Sequence, residues 1–404
     1  MQEISGSLED FADIPEKTLG FLVRNLPEGS DPLELVLSSW DEGWRAGRWT
    51  DSGGKVTFPI IGGARGDLVG VLVPNRNDGL PWRLHYAGVD KQNALDAIWR
   101  KSPVPPSLYH LAYIDWSRLC SPTGGALPET GTLHESWGFS RGDISVFKSY
   151  LYQTYTRLVY EGKVLVSDKY GLLVFNSGLV TPSYDDVYLC FERDEDSRSG
   201  WSYAGSCVAG ESGLGKRLLD AFHDLPGRAE YVSDIADVVF DGSRAVVPDY
   251  RHIVADRIGR FPAGYLDRRL LGFPDLAQEL DDARAMKERG IRGADEAFQR
   301  IGAFVWEENS LRNGIRGDLD AALRKASRRA QWNFRTAIPA YYPRRNSMGF
   351  LLPLCMENED VADLVMVTSL SRAGTYIGET VLDMRMAYTN ARLVNRLESE
   401  WLHA

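Results

Sequence analysis

The sequence predicts an α+β protein of two domains, the larger with a mixed, mainly antiparallel sheet packed on helices. Three observations lead there. The 404 residues exceed what one hydrophobic core usually serves, so two domains or three are expected. Short apolar runs are divided by Gly, Asn and Pro corners, which is hairpin chemistry, because Gly and Asn tolerate positive φ. Apolar residues recur every three to four positions at 143–160 and within 276–332, the helical period. Strand alternation is too irregular for a doubly wound parallel sheet.

Residues 1–112 read as a small α+β domain. Leu19, Leu22, Val23 and Leu26 have helical spacing, as do Leu33, Val36 and Leu37. Strand-like runs follow at Lys55–Ile61, Leu68–Pro74 and Trp82–Ala87, separated by Gly62-Gly63 and Asn77-Asp78-Gly79. A helix is expected over 91–101. The run Ser102-Pro103-Val104-Pro105-Pro106 ends it, since proline removes a backbone donor and restricts its predecessor. The boundary to a second domain, 113–404, is placed there.

Residues 113–142 read mostly as loop. Asp143 then caps a helix carrying Ile144, Phe147, Tyr150, Leu151, Tyr155 and Leu158. After a strand at Val164–Val166, the stretch Leu172–Glu192 reads as a strand, an Asn176-Ser177-Gly178 corner, a Pro182 turn and a second strand. Asp194 to Lys216 is polar and Gly-rich and reads as a long loop or an insertion. A hairpin around Gly242 is expected from Val238–Asp241 and Ala245–Val247. Helices are expected at 275–290, 294–311 and 318–332. Strands at Phe350–Leu354, Leu364–Ser369 and Val381–Met384 and a helix from Ala387 close the chain. The larger sheet should combine the central hairpin, the 238–247 hairpin and the C-terminal strands.

Composition excludes several classes. No run approaches about 18 apolar residues, so no membrane span is expected. The acidic N-terminus lacks an apolar signal core. Cys120, Cys190, Cys207 and Cys355 form no CxxC pair, which fits reduced thiols in a cytoplasmic protein and no zinc site. Asp185-Asp186 would point to opposite faces of a strand, so no joint metal ligation is expected. Gly210 to Lys216 matches most of a phosphate loop, but Arg217 stands where the magnesium-holding hydroxyl belongs, so a Gly-rich turn is expected. There is no HExxH, no GxSxG and no GxGxxG after a strand. No cofactor is expected, and oligomeric state leaves no signal.

Charge is unevenly distributed. Tyr250–Arg345 holds 19 Lys/Arg against 13 Asp/Glu, a net of +6 in a chain of net −10, so the rest carries −16. That acidity argues against indiscriminate nucleic-acid binding. A basic segment within it reads as an anion site or as solvated helix faces. On the 318–332 helix, Arg324 and Arg328 share one face, Lys325 and Arg329 the next.

From about residue 145 onward the chain resembles the family called domain of unknown function 3825. The matching pieces are Tyr150-Leu151…Thr154-Tyr155-x-Arg157-Leu158…Glu161-Gly162-Lys163 and Phe175-Asn176-Ser177-Gly178-Leu179. His252-Ile253, Arg260-Phe261-Pro262 and Asn333-Phe334…Pro339-x-Tyr341 follow. Leu351-Leu352-Pro353-Leu354, Tyr376-x-Gly378-x-Thr380 and Ala387-Tyr388-x-Asn390-Ala391-Arg392-Leu393 complete the order. Ser177 stands where the resemblance leads one to expect Thr. The family is centred on bacteria and has no assigned reaction. Relatives joined to cold-shock or helix-turn-helix modules imply RNA or nucleotides as partners. The N-terminal domain here is not such a module.

The residues of these pieces suit phosphate or ribose recognition. Arginine offers a permanently charged fork to phosphate oxygens, and Asn pairs a donor with an acceptor. The candidate ligand-binding set is Asn176, Arg257, Arg260, Asn333, Tyr341, Tyr376, Asn390 and Arg392. His252 is the candidate acid/base, with Arg257 and Arg260 stabilising charge in a metal-independent phosphodiester reaction. The alternatives are structural. His252 reads equally as a core histidine at a helix, Arg257 and Arg260 as ion-pair partners of Asp256 or Asp267, Asn176-Ser177-Gly178 as a turn, and Asn390 with Arg392 as a helix anchor. Three functions follow: a nucleotide- or RNA-end-binding protein, enzymatic or sensory; a non-enzymatic RNA- or protein-interaction domain using the basic 318–332 helix; and a tailoring enzyme for a small non-nucleotide substrate.

Overall fold

A computed structural model describes residues 7–23, 26, 31–45, 48–52, 54–60, 68–75, 79–90, 95, 104–105, 107–114, 116–120, 137, 144–197, 200–291, 293–343, 347–371, 373–397 and 399–403. The chain separates into two units, Met1–His134 with Thr154–Ala229, and Glu135–Gln153 with Glu230–Ala404. The α+β class holds in both. Apart from Leu95, the helix expected over 91–101 lies outside the described residues. So do the Gly62-Gly63 and Asn77-Asp78 corners, the Asp143 cap and most of the 113–142 loop.

Among the described residues the first unit contains two sheets. One runs in the order β1-β5-β4-β3-β2, with β1 Ala12–Asp13, β2 Thr50–Ser52, β3 Lys55–Ile60, β4 Leu68–Pro74 and β5 Trp82–Val89. All its pairings are antiparallel except β1 with β5. Helix Glu16–Val23 (α1) packs on β5 and Pro32–Arg45 (α2) on β3. Their apolar stripes meet the strand faces at Leu22, Trp40, Phe58 and Leu84, all buried. The expected helices and three strands are therefore present.

Helix Ser145–Tyr160 (α3) follows; its residues from Thr154 onward belong to this unit. Tyr155 packs edge-on against Phe175. The second sheet is an antiparallel meander, β6 Leu165–Ser167, β7 Leu172–Val180, β8 Asp186–Arg193 and β9 Trp201–Val208. The expected loop over 194–216 is thus corrected: it holds β9 and the start of helix Leu214–Ala221 (α4), with Leu218 buried beneath it. β9 lies at a sheet edge and keeps Ser202, Ser206 and most of its neighbours partly exposed, so its composition reads as loop. Gly210 to Gly213 forms the strand-to-helix turn, with Gly210 and Gly213 both at positive φ, and Leu214 to Lys216 open α4.

The central stretch is also corrected. Asn176-Ser177-Gly178 is no corner but a bulge inside β7, where pairing with β8 skips from Asn176 to Leu179. Side chains replace the missing ladder. Gly178 N–H donates to Asn176 Oδ1 at 3.0 Å, Ser177 Oγ donates to Val187 O at 2.6 Å, and Leu179 N–H donates to Ser177 Oγ. Gly178 takes φ 72°, which a side chain would strain.

Among the described residues the second unit has one sheet, in the order β10-β14-β13-β12-β11. Its strands are β10 Val246–Pro248, β11 Ile338–Tyr342, β12 Ser347–Leu354, β13 Leu364–Leu370 and β14 Tyr376–Leu382. β10 is parallel to β14 and the rest are antiparallel. The central hairpin and the C-terminal strands therefore lie in separate sheets, not the single sheet expected. The hairpin expected around Gly242 is absent: β10 pairs with β14, and Asp241 instead closes a turn by accepting from Ser243 and Arg244. β10 ends in Pro248, which an edge strand tolerates. β11, unforeseen in the sequence, pairs with β12.

Helices Ala263–Arg269 (α5), Pro274–Glu288 (α6), Ala294–Glu307 (α7) and Asn309–Trp332 (α8) share the core of this sheet: α8 packs on β12, α7 on α8 and α6 on α7, while Met384–Val394 (α9) packs on β11. α8 begins at Asn309, earlier than the expected 318, because Glu308 breaks α7 from α8 and caps Ser310. α8 buries Leu311, Ile315, Leu319, Leu323 and Ala326. Each fully buried Leu or Ile contributes roughly 1.5–3 kcal/mol.

Candidate nucleic-acid interface

Asn176 lies in the first unit and is wholly buried. Its amide donates to Asp186 Oδ2 at 3.0 Å, and Asp186 in turn accepts from Arg228. Asn176 is therefore consumed in holding the bulge. The other candidates belong to the second unit.

His252 opens a π-type turn, His252–Asp256, that packs on α7 and β14. It is 8% exposed. Arg257 donates Nε–H to Nε2 of His252 at 3.3 Å, and the other ring nitrogen lies 2.9 Å from Asp256 Oδ2. Acceptance at Nε2 suits the tautomer with its proton on Nδ1, donated to Asp256. Both ring nitrogens are engaged within one turn of chain. Arg260 reaches β14, donating to Val381 O at 2.7 Å and Thr380 Oγ1 at 3.3 Å. It ties the turn to the sheet.

The remaining candidates divide in the same way. Tyr376 is buried, its ring stacked 4.5 Å from Phe240, and its hydroxyl accepts the Asp241 N–H at 3.1 Å. Tyr341 packs on Tyr231 at 4.7 Å. Arg392 is 6% exposed, held between the rings of Trp137 and Tyr150 at 5.1 and 4.8 Å. Asn390 stands partly exposed on α9. The structure brings His252 and Arg257 together and gives Arg260, Tyr341, Tyr376 and Arg392 separate packing roles.

Asn333 is different. It follows the last residue of α8, is exposed, and caps the short turn Phe334–Thr336 by accepting from Arg335 N–H. Trp332 before it is 93% exposed and Phe334 after it is 65% exposed. Arg324, Arg328 and Trp332 succeed one another at four-residue intervals, which sets them along one exposed face of α8. Arg335 is exposed beyond them. Among the described residues none of these three arginine side chains enters an ion pair. The next face differs: Lys325 donates to Glu359 O and Arg329 to Cys355 Sγ. Unspent guanidinium groups beside bare aromatic rings can neutralise phosphates and stack on bases. The arginines were legible in the sequence; Trp332, Phe334 and Arg335 were missed. An aromatic off the buried 322–323–326–330 face was the signal available.

A cavity of about 530 Å³ opens on the Lys325 side of α8, between α5 and the chain after β12. Arg268, Arg269, Lys325, Tyr265, Asp318 and Cys355 line it. Asp318 accepts from both Tyr265 and Arg269. Burial, with the Asp318 carboxylate, pushes the Tyr265 phenol well above its ordinary range. Burial likewise pushes the Cys355 thiol up. Tyr265 is therefore a fixed donor to Asp318 and Cys355 a neutral thiol, so neither is an activated nucleophile.

A family model described as Domain of unknown function (DUF3825) matches residues 130–401. The chain belongs to that family. The DUF3825 region therefore takes in β6–β14, α3–α9, the exposed stripe of α8 and the cavity beside it. No curated protein and no solved structure matches the chain. Among the described residues no helix is long and apolar enough to cross a membrane.

Proposed function

We propose that this protein binds single-stranded RNA along the C-terminal half of α8. The observation that carries the reading is the pair Trp332 and Phe334, both solvent-exposed, continuing the unpaired Arg324–Arg328 face. Among the described residues little covers Trp332, and Phe334 keeps most of its ring bare. A base stacked on each ring and phosphates on Arg324, Arg328 and Arg335 would use every group in the patch. The local basic charge within an acidic chain favours one docking face over general adhesion. RNA rather than DNA is chosen from the family resemblance. The test is fluorescence anisotropy with a labelled oligouridylate, with the DNA equivalent as competitor. Binding lost in Trp332→Ala/Phe334→Ala supports the reading; affinity unchanged by that double substitution overturns it.

A second reading, a nucleotide or RNA end held in the 530 Å³ cavity, is favoured by Arg268, Arg269 and Lys325 at its wall. It expects binding of a mononucleotide that resists salt and is lost in Arg268→Ala/Lys325→Ala. An acid/base role for His252 is not part of either reading, because a substrate would first have to displace Arg257 or Asp256 from its ring.

A further inference from the structure

The meander sheet of the first unit holds two cysteines in contact. Cys190 on β8 and Cys207 on β9 lie on adjacent antiparallel strands, with their sulfurs 3.7 Å apart. The residue directly opposite Cys190 is Gly205, and Cys207 is two positions further on the same strand. No side chain of β9 therefore stands between the two thiols. Leu172, Val174, Tyr188 and Leu218 pack around them.

The two thiols differ in a useful way. Cys190 is fully buried, and Cys207 is partly exposed. The two sulfurs share one hydrogen bond that either thiol can donate, and where Cys190 donates it the Cys207 thiol is drawn below its ordinary value. The shared bond and burial in an apolar setting push the Cys190 thiol up. A partly exposed cysteine beside a buried one is the arrangement of an attacking and a resolving cysteine. A disulfide needs sulfurs about 2.05 Å apart, so they must close by about 1.6 Å; because Cys207 stands diagonal to Cys190, the edge strand β9 shifts toward β8 as they close.

We propose that Cys190 and Cys207 form a redox pair that a hydroperoxide closes into a disulfide across β8 and β9. The Cys207 thiolate attacks the terminal peroxide oxygen; the O–O bond breaks, and the departing hydroxide or alkoxide takes a proton. Cys207 becomes a sulfenic acid. The Cys190 sulfur then attacks that sulfur and displaces hydroxide, which leaves with the Cys190 proton as water. Overall two thiols lose two electrons and two protons, and with hydrogen peroxide two waters form. The bond would lock the outer strand of the meander to its neighbour.

The test exposes the reduced full-length protein to one equivalent of hydrogen peroxide, alkylates remaining thiols under denaturing conditions, and digests without reduction. The expected result is a Cys190–Cys207 cross-linked peptide and a fall in free thiols from the four of the sequence to two, restored by dithiothreitol. Cys207→Ser should keep its three thiols under the same treatment. Recovery of both Cys190 and Cys207 as alkylated thiols overturns the proposal, and so does Cys207 sulfinic acid beside an intact Cys190. Both readouts come from the unaltered protein, so poor folding of the variant does not decide the matter.

Discussion

Gly302 of α7 lies against the backbone of Ala255 in the π-type turn: a Cβ at residue 302 would stand 2.0 Å from the Ala255 carbonyl oxygen. Neither atom belongs to a flexible side chain, so helix or turn must move. Gly302→Ala is expected to cost about 1–3 kcal/mol or more, as overpacking does. Gly317→Ala on α8 is the matched control. Nothing lies within 4 Å of that position and it is exposed, so alanine should stabilise the helix by roughly 0.5–1 kcal/mol. Urea midpoints of the two variants should move in opposite directions; equal midpoints would refute the close approach.

His252 sits on the same turn, and its imidazole joins Asp256 to Arg257. Removing the ring deprives a buried site of two hydrogen bonds. His252→Ala is expected to lower stability by about 1–3 kcal/mol. Oligouridylate affinity should be unchanged, since the ring lies apart from the α8 stripe in role and bonding. Denaturant titration and anisotropy on one preparation check both. A variant of full stability that has lost binding or a phosphodiester activity would restore the catalytic reading.

How much of this was legible in the sequence depends on burial. α8 was legible because Leu319, Leu323, Ala326 and Ala330 repeat on one buried face. β9 was not, because an edge strand with one wet face carries Ser, Gly and Tyr like a loop. Asn176 and Ser177 have turn chemistry, and a bulge uses the same side-chain bonds as a turn. In the site, Arg324 and Arg328 could be placed on one helix face from spacing alone. The same spacing carries that face on to Trp332, whereas Phe334 lies past the helix end, where periodicity gives no signal.

Asp241 offers a pH test of the turn beside Tyr376. Hydrogen bonds from Ser243 and Arg244 hold its carboxyl down to about 2. An unfolded Asp titrates near 3.9, so the folded state favours the ionised form. Its contribution is complete above about pH 4 and is lost as pH falls through about 2. Asp241→Asn should therefore be less stable than the parent above about pH 4, with the difference shrinking on acidification. A carbon-detected NMR titration should find the Asp241 carboxyl among the lowest in the chain. An ordinary value near 3.9 would mean that the turn is open in solution.

Charge and stacking on α8 are separable by salt. Each phosphate neutralised on a single strand contributes about 0.7 to the slope of log affinity against log salt. Arg324→Ala/Arg328→Ala should therefore flatten that slope by about 1.4. Trp332→Ala should weaken binding by about 1–3 kcal/mol, roughly 5- to 150-fold, and leave the slope unaltered. Neither change should move the unfolding midpoint by more than about 0.5 kcal/mol, because Arg324, Arg328 and Trp332 are exposed. If the arginine pair lowers affinity without flattening the slope, those side chains do not meet phosphate. If the tryptophan change flattens it, the ring positions the arginines rather than a base.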